Sequence, residues 1–171
     1  YQPHGPGILY LLITVFLAIG SINSQNNLLF AAFGFAIAGF LVSGVMSGPP
    51  LMHAVARRRG PPISHVGEQA TIRYAVECRG GRMAAMGLEI RELADGRGDP
   101  PAGSLLIPAA VLYLRPGARQ TTAARLTPAR RGRHELTGFA VTTTFPFGLL
   151  RKTLIFEQRQ TWVVAPRRIQ L

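Results

Sequence analysis

Acid–base, metal or nucleophilic chemistry needs a few matched side chains within reach of one another. The chain offers four histidines (His4, His53, His65 and His134), eight carboxylates and one thiol, Cys78. The histidines are scattered, and none shows metal-ligand spacing with a second histidine or a cysteine. Glu89 and Glu92 are neighbours in the stretch MGLEIREL, with no histidine or nucleophile beside them. Cys78 falls on the apolar side of an alternating run, the place for a core thiol. No glycine-rich phosphate loop precedes a helix. The expectation is a chain with no catalytic residue, no metal site and no cofactor. His4 and His53 flank apolar segments, where a histidine could ligate a haem or a chlorophyll-like pigment. The simpler reading is an interfacial polar residue, because prolines and glycines surround both.

The elements that would position these groups divide sharply. No Asp, Glu, Lys or Arg precedes Arg57, so the net charge of +11 belongs entirely to the later part of the chain. A soluble domain recruits charge to its solvated faces, and 56 uncharged residues in a row are foreign to one. Ile8 to Ile22 and Leu28 to Met46 are apolar runs broken by the polar patch Asn23 to Asn27. At about 1.5 Å per residue, roughly 20 residues cross a hydrocarbon core. The pattern predicts a two-span hairpin over residues 1–52 with a tight turn at Ser24 to Asn27, and Pro49-Pro50 stopping or bending the second helix. A signal peptide would want a basic leader and a small-residue cleavage site, and YQPHGPG supplies neither.

Small residues recur at helical spacing in the second span, at Gly34 and Ala38 and at Gly39 and Ser43. Such faces let helices approach closely in lipid, against the first span or against a further helix partner. Residues 53–63 read as a basic juxtamembrane linker. Arg57, Arg58 and Arg59 within it predict a cytoplasmic strand domain and contact with anionic lipid head groups. Eighteen of the nineteen basic residues are arginine, yet aromatic stacking residues are not interleaved with them. Acidic protein surfaces, rather than nucleic acid, are the expected partners of the remainder.

Residues 64–171 change texture. QATIRYAVEC alternates, with Ile72, Tyr74, Val76 and Cys78 on one side. MGLEIREL, LLIPAAVLYL, TTAARL, HELTGFAVTTT, LRKTLIFEQ and TWVVAP follow, separated by RGGR, DGRGDPPAG, RPGARQ and PARRGR. Pro108 suggests an edge strand or a bulge, and Gly138 a bulge. About seven short strands with regular turns predict an all-β, immunoglobulin-like antiparallel β-sandwich. Its expected core includes Ile72, Tyr74, Val76, Leu88, Ile90, Leu112, Val141 and Trp162. Pro146, Phe147, Gly148 and Leu149 read as a corner, with Phe147 and Leu149 buried in it.

ARRGRHELTGFAVTTTFPFGLLRKTLIF, then VVAPRRIQL, joined to a hairpin with Asn-Asn-Leu-Leu-Phe opening its second span, resembles the bacterial family called domain of unknown function fifty-eight. Arg130 to Arg133, Phe145 to Leu149, Arg151, Lys152, Val163, Val164 and Pro166 carry the likeness. Members usually continue into a part similar to a von Willebrand factor A domain, which does not follow here. The resemblance implies a partnership with a MoxR-type AAA+ ATPase in assembly or maturation of other complexes. Two functional expectations result. One is a non-catalytic structural or accessory subunit of a larger inner-membrane complex, for example a respiratory or photosynthetic one. The alternative is an assembly factor working with such an ATPase.

Overall fold

The computed structural model describes residues 2–3, 5–60, 63–80, 82–93 and 104–167. His4, Pro61-Pro62 and the loop 95–103 lie outside the described residues. A short strand β1 (Gln2–Pro3) precedes helix α1 (Gly5–Ser24) and helix α2 (Asn27–Met52). The polar patch makes the tight turn: the Asn26 side chain caps α2 by accepting from the Leu28 N–H at 2.8 Å. Both helices are long and apolar enough to cross a membrane, with mean hydropathies of 2.0 for Gly5–Ser24 and 2.3 for Asn27–Met46. Tyr10 ties them together, its hydroxyl donating to the Ala36 carbonyl at 2.9 Å.

The rest is an all-β domain of two packed sheets. One runs β2 (Ala54–Arg59), β4 (Ala70–Cys78), β8 (Arg119–Thr127), β6 (Leu105–Ile107). The other runs β1, β10 (Leu150–Ala165), β9 (Gly132–Thr143), β5 (Ala85–Leu93), β7 (Ala109–Leu114), with β3 (Ile63–His65) also on β10. All pairings are antiparallel except that of β3 with β10, which is parallel. Pro108 is where the chain leaves one sheet for the other, separating edge strands β6 and β7. The last two expected strands are one, β10. Its bulge lies between Glu157 and Gln160, opposite Gly138, where a Cβ would come within 2.5 Å of the Phe156 carbonyl oxygen.

Ile72, Tyr74, Val76, Leu88, Ile90, Val141 and Trp162 join one core, with the Tyr74 and Phe139 rings 5.2 Å apart across the sheets. Leu112 does not: it is 83% exposed. The register of β5 on β7 passes from Met86–Tyr113 to Leu88–Val111, and Gly87 between them has φ +60. That irregularity shifts the inward phase, so Val111 and Leu114 are buried while Leu112 and Tyr113 face out.

Two further expectations fail for one reason. Residues 53–63 are not a linker, because β2 pairs along β4 from Ala54–Cys78 to Arg59–Arg73. In a strand alternate residues share a face, so Ala54, Ala56 and Arg58 point inward. Arg58 is 3% exposed and cannot lie among lipid head groups. Its Nη1 meets Glu92 Oε2 at 2.5 Å, and its Nη2 donates to the carbonyls of Leu136 and Gln158. The Tyr74 hydroxyl donates to Glu92 Oε1. The Gln158 amide, on the β10 bulge, accepts from the Arg58 N–H at 3.0 Å and donates to the Arg58 carbonyl at 3.1 Å. Burial pushes the Glu92 carboxyl up, and the Arg58 charge and the two hydrogen bonds pull it back. Burial first, then the Glu92 charge, raises the Tyr74 phenol far above its ordinary value.

Removing one member of a buried ion pair leaves the other charge uncompensated, at a cost of about 3–5 kcal/mol. Glu92→Leu should lower unfolding stability in detergent by about that much. Arg58→Met, Glu92→Leu and Tyr74→Phe together should recover most of the loss, since no buried charge then lacks its partner. A triple variant no more stable than Glu92→Leu alone would show that the cluster does more than compensate charge.

Candidate functional site: the joint between hairpin and sheets

Three connections of the β domain face the helices: β4 to β5 (79–84), β7 to β8 (115–118) and β9 to β10 (144–149). The first is bound to the end of α2, and the second to Cys78 at the end of β4. The Arg79 N–H donates to the His53 carbonyl at 2.8 Å, and Cys78 exchanges backbone bonds with Gly117 and Ala118. His53 is the C-cap of α2 and is exposed. The helix runs through Pro49-Pro50 rather than stopping there. A proline withholds only its own N–H, so the loss falls on the carbonyls of Val45 and Met46 in the last turns. Leu51 beyond them is 3% exposed, anchored in the β-domain core.

The third connection is the corner Phe145 to Leu149. Gly148 has φ +69, which a glycine adopts at little cost, and its N–H donates to the Thr144 carbonyl at 2.7 Å. Leu149 is buried as expected, but Phe147 is 57% exposed, because the corner turns its ring outward. The corner meets both helices. A Cβ on Gly7 would stand 2.0 Å from the Leu149 carbonyl oxygen, so α1 approaches the corner backbone to backbone. Lys152, 7% exposed, donates from Nζ to the Gly44 carbonyl at 2.8 Å. The bond ties β10 to the backbone of α2 about two turns before the helix ends. Met46, Leu51, Ala85, Met86, Leu88, Thr143 and Phe145 line a small recess in the same joint.

The small residues of α2 split between two faces. A Cβ on Gly39 would lie 2.8 Å from the Tyr10 hydroxyl, and Ser43 is fully buried. Gly34 and Ala38 are exposed, and nothing lies within 4 Å of a Cβ at Gly34. One face therefore closes the hairpin and the other is open.

Of the predicted basic cluster, Arg57 and Arg59 are exposed and Arg58 is buried. The alternation of β2, β4 and β8 places Arg57, Arg59, Arg73 and Arg125 on the outer face of the four-stranded sheet, with Arg59 directly opposite Arg73. None of these four has a carboxylate partner among the described residues. Cys78 is buried in the core, which pushes its thiol up. No group of three or more His, Cys, Asp or Glu lies together among the described residues.

No protein-family model and no curated protein matches the chain. Among solved structures, a CARDB domain from Pyrococcus furiosus aligns with 66% of this chain and 94% of its own, at 13% identity and a TM-score of 0.39. AvmM, which catalyses macrocyclisation in alchivemycin A biosynthesis, aligns with 70% of this chain and 92% of its own, at 13% identity and a TM-score of 0.37. At these scores neither likeness bears on the fold or function of this chain.

The joint predicts a specific sensitivity. Gly7→Val, which cannot fit against the Leu149 carbonyl, should separate α1 from the corner. Limited proteolysis in detergent should then cut near 145–151 at least about tenfold faster, a rise equivalent to about 1.4 kcal/mol of local opening. Gly5→Val, with nothing within 4 Å of its Cβ, should leave the rate unchanged. Equal rates in all three proteins would show that the joint does not restrain the corner.

Proposed function

We propose that the chain is a non-catalytic, two-pass subunit of the bacterial cytoplasmic membrane that docks onto other membrane proteins. In this reading α1 and α2 span the bilayer, and the β domain is an immunoglobulin-like sandwich held rigidly at the cytoplasmic face. The observation that carries it is the outer face of the four-stranded sheet. Like charges directly opposite one another weaken a strand pair. Arg59 and Arg73 are so placed, with Arg57 and Arg125 nearby and none of the four in an ion pair with a carboxylate among the described residues. An acidic partner surface would convert that repulsion into attraction and steer the encounter. The open Gly34 and Ala38 face gives a partner helix a place to approach closely. Phe16, Leu28 and Phe35, each more than 70% exposed, suit lipid or a neighbouring span.

Purification from native membranes in mild detergent tests the proposal. The chain should be recovered with partner subunits. Arg57→Glu, Arg59→Glu and Arg73→Glu together should lower recovery about tenfold at low salt, and raised salt should narrow the difference by screening exposed charges. Gly34→Leu with Ala38→Leu should lower recovery at any salt. A chain that purifies alone at low salt, or one with turnover abolished by a single substitution, would overturn the proposal. For sidedness, an impermeant thiol reagent should label Ser24→Cys from outside the cell and miss Ala129→Cys; labelling of position 129 would reverse the topology.

A further inference from the structure

The helix-facing end of the β domain carries a second set of arginines, which meets the near edge of the sheet face where Arg79 and Arg119 line one recess with Arg57. Arg79 and Arg82 lie in the β4–β5 connection and Arg115 in the β7–β8 connection. Arg119 opens β8, and Arg151 is the second residue of β10. All five are exposed. Arg79 adjoins the end of α2 through the His53 carbonyl, Arg115 and Arg119 flank the neighbouring connection, and Arg151 lies where β1 meets β10. One described carboxylate shares this end: Glu77, whose Oε1 meets Arg79 Nε at 3.2 Å. Glu89, deeper on the other sheet beside Arg151, pairs with Arg91. Exposed apolar side chains accompany the arginines at the same end: Met52 at 72%, Phe147 at 57% and Tyr113 at 49%.

The vertical position of this collar follows from α2. The apolar span ends at Met46, and the helix continues to Met52 with Leu51 already in the core. Six further residues rise about 9 Å, and each headgroup layer is roughly 5–8 Å thick. No linker intervenes, so the domain cannot stand off from the surface. Aromatic side chains among basic ones at this depth match the interfacial belt of membrane proteins.

We propose that Arg79, Arg82, Arg115, Arg119 and Arg151 form a collar that binds anionic lipid headgroups, with Phe147 and Met52 entering the interface between them. The collar rests on the reading of α1 and α2 as membrane spans. It replaces Arg57 to Arg59 as the lipid-facing group, because β2 carries those residues away from the helices.

Nanodiscs of equal phosphatidylcholine and phosphatidylglycerol test this with the full chain. After extraction, native mass spectrometry counts the lipids retained. The natural chain should retain phosphatidylglycerol over phosphatidylcholine by about fivefold, the factor expected for one favourable cation near an anionic surface. Replacing all five collar arginines with Gln should bring the ratio near one. Arg59→Gln, Arg73→Gln and Arg125→Gln together should leave it at the natural value. Extraction at about 1 M salt, where the screening length falls to about 3 Å, should lower the ratio in the natural chain. A ratio near one in the natural chain incorporated into discs, or equal loss in the two variants, would overturn the collar alone. A natural chain recovered outside the discs would overturn the membrane reading itself, and the collar with it.

Discussion

A guanidinium buried between two sheets sets the geometry of the whole chain. Arg58 leaves water only because Glu92, two backbone carbonyls and the Gln158 amide meet it. Those partners come from β5, β9 and β10, all in the sheet opposite β2. The bond therefore clasps sheet to sheet, and it clasps the strand that follows α2 directly. A buried ion pair is weak evidence of net stability, since desolvation offsets much of the attraction. Its stronger effect here is on register. A slip of β2 by one residue would turn Arg57 or Arg59 into the core, where Glu92 could not satisfy it, and would expel Ala54 and Ala56.

Register of β2 fixes the hairpin in turn. With Ala54 opposite Cys78, Leu51 enters the core and α2 ends against the β4–β5 connection. Gly7 and Lys152 then make the second and third points of attachment, from α1 and β10. Attachments at β2 and at the start of β10 hold the hairpin against both sheets, whereas one flexible linker would have left the domain free to tumble. Motion between the parts would blur any surface the chain presents, so this joint gives both arginine sets a defined direction.

Much of this was legible in the sequence because it is written locally. Hydropathy marked both helices and the polar turn, and period-two alternation marked β4, β5, β8 and β9 to within one or two residues. The corner was visible in Pro146 and Gly148, whose backbone preferences are intrinsic. What failed was non-local. AVARRR reads as a solvated linker because its inward residues are two small alanines and an arginine, and nothing nearby announces Glu92, 34 residues after Arg58. Leu112 reads as core by simple alternation, and only the Gly87 irregularity on the neighbouring strand reverses it. Phe147 reads as buried because a large ring usually is. The arginines of the helix-facing end come from four connections or strand starts, and only the fold assembles them.

The two arginine sets divide by what each neighbourhood can satisfy. At the helix-facing end, exposed apolar side chains alternate with cations, an arrangement suited to an interface that is greasy below and anionic above. On the sheet face, the residues between the arginines are Ala75, Thr121 and Ala123, small and flat, with no aromatic ring among them. That surface offers little to a bilayer or a stacked base, and much to a second protein whose carboxylates can reach between the side chains. Arg59, Arg73 and Arg125 stand along the sheet face beyond the recess that Arg57 shares with Arg79 and Arg119. One side of the domain is committed to the plane of the helix ends, and the other projects beyond it along β2, β4 and β8. The division follows from strand direction alone: Arg119 opens β8 beside the helices, and Arg125 lies six residues further on, about 20 Å away at the rise of a strand.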